Sequence, residues 1–159
     1  NQMKKLLLIT IVFIFFNCED ELSNKIPGFE ATINGNFDWV ADSYVATLQN
    51  NQLSITATSP FGTIAMQIDS LELGSYNLYS WTDDFAIFQD TLQYSTQNDG
   101  VNSIAHLSDG LIDINEIDNI NNTVSGHFHF DAYNGTGEYT INLSEGVFYK
   151  IPITSDSQD

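Results

Sequence analysis

The sequence predicts an all-β domain, built as an antiparallel β-sandwich of about ten short strands, with a partly closed up-and-down β-barrel as the alternative. Three observations carry that expectation. From residue 28 onward apolar and polar residues alternate with a period of two, no stretch of useful length shows helical spacing, and clusters of Gly, Asn, Asp and Ser break the alternation at short intervals.

The first segment is of another kind. Lys4 and Lys5 precede an apolar run of eleven residues, Leu6 to Phe16, about half of the ~20 needed to span a bilayer core. Residues 1–17 therefore read as a signal peptide, with Asn1 and Gln2 read as upstream of the natural start at Met3. Cys18, the one cysteine, stands where the apolar run ends and is the expected lipidation site. Acyl chains there contribute ~0.8 kcal/mol per buried CH₂, so the protein is expected to be anchored to a membrane, not embedded in one. Residues 18–27 are polar and read as a tether, 28–152 as a single β domain, and 153–159 as a disordered tail.

Within the domain, register follows from which residues must share a face. Phe29, Ala31 and Ile33 alternate apolar, as do Phe37, Trp39 and Ala41. A two-residue turn would put those sets on opposite faces, whereas a three-residue connection, Asn34-Gly35-Asn36, pairs Ile33 with Phe37 and Ala31 with Trp39. The longer turn is expected, with Asn36 adopting positive φ. The same test on the next hairpin favours a two-residue turn at Asn50-Asn51, which sets Leu48, Ala46 and Tyr44 opposite Leu53, Ile55 and Ala57. Further strands are expected over 63–69, 75–80, 85–89, 92–96, 102–107, 111–117, 123–133, 139–143 and 147–151.

Charge narrows the function classes. The chain carries 21 acids against 4 lysines, no arginine, and a formal net charge of −17. Removing a signal peptide would leave Lys25 and Lys150 as the only fixed cations. Phosphate backbones need Lys or Arg to displace their counterions, so nucleic acid is excluded as a partner, and adhesion to anionic headgroups is disfavoured. With no disulfide available, the fold rests on its apolar core.

Gly28-Phe29 through Ile33-Asn34-Gly35, then Trp39 and Ala41, resembles the opening of a family of small Bacteroidota lipoproteins that carry a domain of unknown function. Gly74 to Leu78, Gly110 to Ile114 with Asp118, Val124 to Phe130, and Ile141 to Phe148 look like its later landmarks. The resemblance spans most of residues 28–151 and implies an exported, lipid-anchored β domain without an assigned activity. Glu19-Asp20-Glu21, directly after Cys18, resembles the acidic signal for surface display in that phylum.

Candidate chemistry is sparse. In His127-Phe128-His129-Phe130-Asp131 alternation turns both phenylalanines inward and the two imidazoles outward, as a metal-ligating pair would stand. Neighbours on one face lie ~6.5–7 Å apart, so ligands from another strand would be needed. Asp113 and Asp118, in the oxygen-rich stretch Asp109 to Asn122, are the candidate acids for that set or for calcium. That stretch lacks the glycine an EF-hand requires at its sixth position. Trp39 falls on the apolar face, whereas Trp81, beside Thr82-Asp83-Asp84, is the candidate exposed platform for a sugar. No nucleophile elbow, zinc-protease helix motif or phosphate loop occurs. The sequence thus points to a lipid-anchored accessory or binding module at the outer membrane or cell surface, with a glycan or outer-membrane protein as partner and no catalytic residues. The alternatives are a hydrolase whose site is assembled across loops and a structural envelope component.

Overall fold

The computed structural model describes residues 28–101 and 106–155. The signal peptide, Cys18, the acids that follow it and the tether therefore lie outside the described residues, as do 102–105 of the strand expected over 102–107 and residues 156–159 of the tail.

The described chain is all-β, with eleven strands in one continuous hydrogen-bonded sheet. They are β1 (Gly28–Ile33), β2 (Phe37–Val40), β3 (Ser43–Gln49), β4 (Gln52–Ser59), β5 (Gly62–Ile68), β6 (Gly74–Asn77), β7 (Phe85–Gln89), β8 (Gln93–Ser95), β9 (Asp109–Asp118), β10 (Thr123–Asn134) and β11 (Thr140–Ser155). The sheet order is β2-β1-β11-β3-β4-β5-β7-β8-β10-β9-β6, and β10 also pairs with β11, so the path from β11 through β3 to β8 and β10 returns to its start. Within the ring, two residue pairs join β8 to β10 at one seam and three join β11 to β3 at the other, and β7 and β8 are likewise joined by three. Those seams divide a sandwich-like body into a first layer, β2-β1-β11-β10-β9-β6, and a second, β3-β4-β5-β7-β8.

The chain changes layers within two residues. Ala41 donates its amide to Phe29 O in the first layer at 2.9 Å, and Asp42 donates to Thr58 O in the second at 2.8 Å. Apolar side chains from both layers meet in one core that includes Phe29, Trp39, Ile55, Ile64, Phe88, Ile112, Phe128, Leu143 and Phe148. Phe29 anchors an aromatic group within it, 6.0 Å edge-on from Trp39 and 5.2 Å from Phe128. Trp39 is fully buried and its indole Nε1 has no acceptor, a cost of ~1–3 kcal/mol that the buried ring area offsets.

Both hairpin arguments hold in register. Ile33 pairs with Phe37 and Ala31 with Trp39, while Leu48, Ala46 and Tyr44 pair with Leu53, Ile55 and Ala57. The conformation of the first turn differs from expectation. Positive φ falls on Asn34 (50°) and Gly35 (72°), not Asn36, because Asn34 is also tied to β11 through its own amide and the Asn142 amide. At the second turn Asn50 (52°) and Asn51 (68°) are both left-handed, as a type I′ turn requires.

Three further expectations are corrected. Segments 139–143 and 147–151 are one strand, β11, in which Glu145 at φ 51° takes up a bulge where the pairing with β1 and β10 slips. Residues 153–155 are not tail, since Ile153 to Ser155 pair in parallel with Ala46 to Leu48, and the Thr154 hydroxyl donates to Ala46 O. This parallel pairing also makes the sheet mixed. At 102–107, the described His106 forms an isolated bridge with Gly100 and Leu107 lies outside any strand.

Candidate functional site

Two surfaces carry the residues singled out by sequence. The first is the outer face of β9, β10 and β11. Phe128 and Phe130 are buried while His127 and His129 are exposed, as alternation requires. Asp113 stands directly opposite His127 in the β9–β10 pairing, and its Oδ1 accepts a 2.8 Å hydrogen bond from Ser75 Oγ on β6. His127 Nδ1 lies 3.0 Å from Asn115 Nδ2, within hydrogen-bonding distance. His129 pairs with Leu111, one step along the same face.

Asp118 stands elsewhere. It pairs with Thr123 at the β9–β10 turn, five register steps from Asp113, and its carboxylate accepts the amides of Ile120 and Asn121 and the Asn121 side chain. Those hydrogen bonds, the Asn121 side chain first, hold its carboxyl below the usual carboxylate range. The four residues considered for a metal are therefore not brought together, and among the described residues no group of three His, Cys, Asp or Glu side chains is close enough to hold an ion. The physical reason is strand length: a ligand placed at a turn cannot reach the middle of a ten-residue strand.

Three open depressions mark this layer. One of about 350 Å³ lies beside Asn115, His127, Val147 and Tyr149, and a smaller one of about 180 Å³ beside Asp113, His129 and Glu145. The third, about 370 Å³, is bordered by the carboxylates Glu30, Asp38 and Glu145, with the Thr32 hydroxyl donating to Glu145 at 3.2 Å.

The second surface is the loop 78–84 that crosses from β6 to β7. Leu78 is buried and donates its amide to Gly110 O, and the Ser80 hydroxyl donates to Asp99 Oδ2 at 2.6 Å, whose Oδ1 accepts the Ser108 amide. The Thr82 hydroxyl accepts the Tyr79 amide at 2.9 Å. With 78, 80 and 82 pinned, the odd residues stand outward. Trp81 is 66% exposed and lies nearly parallel to Tyr79, ring centroids 4.7 Å apart at 12°. The stack fixes the indole and leaves its other face free, the arrangement of an aromatic platform. Beside it, Asp84 Oδ1 accepts the Asp69 amide at 2.8 Å, and burial pushes its carboxyl above the usual range. Tyr79 was missed in reading the sequence, although the Tyr79-x-Trp81 spacing was there to be seen.

A third surface was missed altogether. The outward positions of β3, β4, β5 and β7 carry no charged residue, and the signal was present in the chain, where nothing between Asp42 and Asp69 is Asp, Glu, Lys or Arg.

Residues 25–152 match the model of a family described as a domain of unknown function, DUF6252. The chain belongs to that family. The matched span contains the whole first layer up to Pro152, the aromatic loop and the uncharged face. No curated protein and no solved structure matches the chain. Among the described residues no helix is long and apolar enough to cross a membrane.

Proposed function

We propose that this DUF6252 protein is an exported lipoprotein, anchored through Cys18 and displayed at the outer membrane or cell surface with Glu19-Asp20-Glu21 as its address, where it acts as a non-enzymatic binding module for a glycan. The observation that carries the binding reading is the Tyr79–Trp81 stack, in which a largely exposed indole is held in place by a loop whose alternate residues are bonded down. Leaving an indole two-thirds exposed gains nothing for the fold, whereas the axial C–H face of a sugar ring covers it at little entropic cost. The test is quenching or shift of tryptophan fluorescence on titration with soluble oligosaccharides. Trp39 is buried and constant, so Trp81→Ala is expected to abolish the response with the melting temperature within ~2 °C of the parent. An undiminished response in Trp81→Ala refutes the platform.

A further inference from the structure

We infer that the outer face of β3-β4-β5-β7 is an extended binding surface for a neutral, hydroxyl-rich polysaccharide. The inference rests on the glycan-binding reading and adds the ligand's charge class and a second, larger contact area on a sheet whose strand β7 follows directly on the aromatic loop. The registers place Val45, Thr56, Ala65 and Ile87 in one row across the four strands. One flanking row is Ser43, Thr58, Thr63 and Gln89 and the other Thr47, Ser54, Gln67 and Phe85, and of fourteen outward strand positions ten are Ser, Thr or Gln and four are apolar. The nearest charges along the chain, Asp42, Asp69, Asp84 and Asp90, all stand just beyond the strand ends, and Asp69 accepts the Gln52 side-chain amide at 3.1 Å.

Absence of charge is the informative property because the rest of the molecule is acidic. The outer face of the first layer carries Glu30, Asp38, Asp113, Asp131 and Glu145, and a chain of net charge −17 has acids to spare for solubility everywhere. An uncharged partner laid on the second layer desolvates no carboxylate, whereas on the first it would have to strip water from several. The side chains are also available. Among the described residues the one side-chain hydrogen bond between two of these positions joins Thr58 Oγ1 to Thr63 Oγ1 at 3.4 Å. Donors and acceptors therefore repeat every ~4.8 Å across the strands and ~6.6–7 Å along them, on a shallow apolar floor, as a polymer with hydroxyls along its length would require. A second copy of the chain fits less well, because the buried centre of a homodimer interface is mostly apolar and this face is mostly polar.

The test uses the full chain and its Gln67→Glu/Gln89→Glu double variant, in which near-isosteric changes put two carboxylates on the face without altering strand packing. Retention is measured on insoluble cellulose, chitin and β-1,3-glucan, with alginate as the charged control, at low and high salt. The expected result is retention of the parent on at least one neutral polymer, little dependence on salt, none on alginate, and about a tenfold loss in the double variant with an unchanged melting temperature. Retention lost in Trp81→Ala but kept in the double variant overturns this inference and leaves the aromatic platform standing. Retention kept in Trp81→Ala and lost in the double variant does the reverse. No retention of the parent on any neutral polymer overturns it, as does self-association by sedimentation velocity that the double variant abolishes, which would assign the face to a second copy.

Discussion

Replacing Gly126 with alanine puts a methyl group where three groups already stand. A Cβ on Gly126 would lie 2.1 Å from the Asp113 carbonyl oxygen, 2.5 Å from Phe148 Cζ and 3.0 Å from Phe148 Cε2, against an ordinary contact distance of 3.4 Å or more. The worst of these is backbone in the middle of β9, which cannot rotate away, so β9 and β10 must part by roughly 1 Å, and Phe148 must also give way within the aromatic core it shares with Phe29 and Phe128. Overpacking of this kind costs ~1–3 kcal/mol, and weakening about two ladder hydrogen bonds adds ~1 kcal/mol each, for a total of ~3–5 kcal/mol. For a domain of this size that is a fall in melting temperature of ~10–20 °C. The assay is thermal unfolding followed by circular dichroism, with urea unfolding to show a lower midpoint at unchanged slope. Gly135→Ala is the control, because its Cβ meets nothing within 4 Å and its φ is not positive. A Gly126→Ala protein melting within ~2 °C of the parent would refute the packing argument, and with it the close β9–β10 approach that sets Asp113 opposite His127.

Asn51→Ala is expected to cost ~1 kcal/mol and Asn51→Gly nothing, since the φ of 68° there disfavours any residue with a Cβ and no local hydrogen-bonding side chain; equal melting temperatures would show that the turn rearranges. Burial, with the charges of Asp69 and Asp83 assisting, lifts Asp84 above its unfolded value of 3.8, so ionising it costs stability as pH rises through that interval. Asp84→Asn keeps an acceptor for the Asp69 amide and is expected to raise the melting temperature at pH 7 and leave it unchanged at pH 3, whereas a gain at both would point to packing. Cys18→Ala is expected to move the protein from the membrane to the soluble fraction on sedimentation, and unaltered membrane association would remove the anchor from the proposal.

Much of the fold was legible because a half-buried strand writes its pleat into the sequence. The pairing of Ala31 with Trp39 and of Ala46 with Ile55 followed from which side chains needed one face, and the inward set Phe128, Phe130 with the outward set His127, His129 followed from parity alone. Bulges defeat that reading. Ser144 and Glu145 interrupt the alternation, so one sixteen-residue strand looked like two, and the parallel pairing of Ile153 to Ser155 depends on a partner more than a hundred residues away.

The site residues divide in the same way. Alternation fixed that His127 and Asp131 face outward from β10, but whether any acid stands within reach of an imidazole is a question of register between β9 and β10, which gave Asp113 to His127 and left Asp118 at the turn. The exposure of Trp81 rests on hydrogen bonds from Ser80 to Asp99 and from Tyr79 to Thr82 that no periodicity encodes. What the sequence by itself determined is the β class, the hairpin registers and the uncharged run from Ser43 to Ile68, because these are properties of neighbours along the chain. Only the tertiary structure decided that β3, β4, β5 and β7 lie side by side and gather that run, with Phe85 to Gln89, onto one face, because lateral strand order is set by core packing between layers and not by any local pattern.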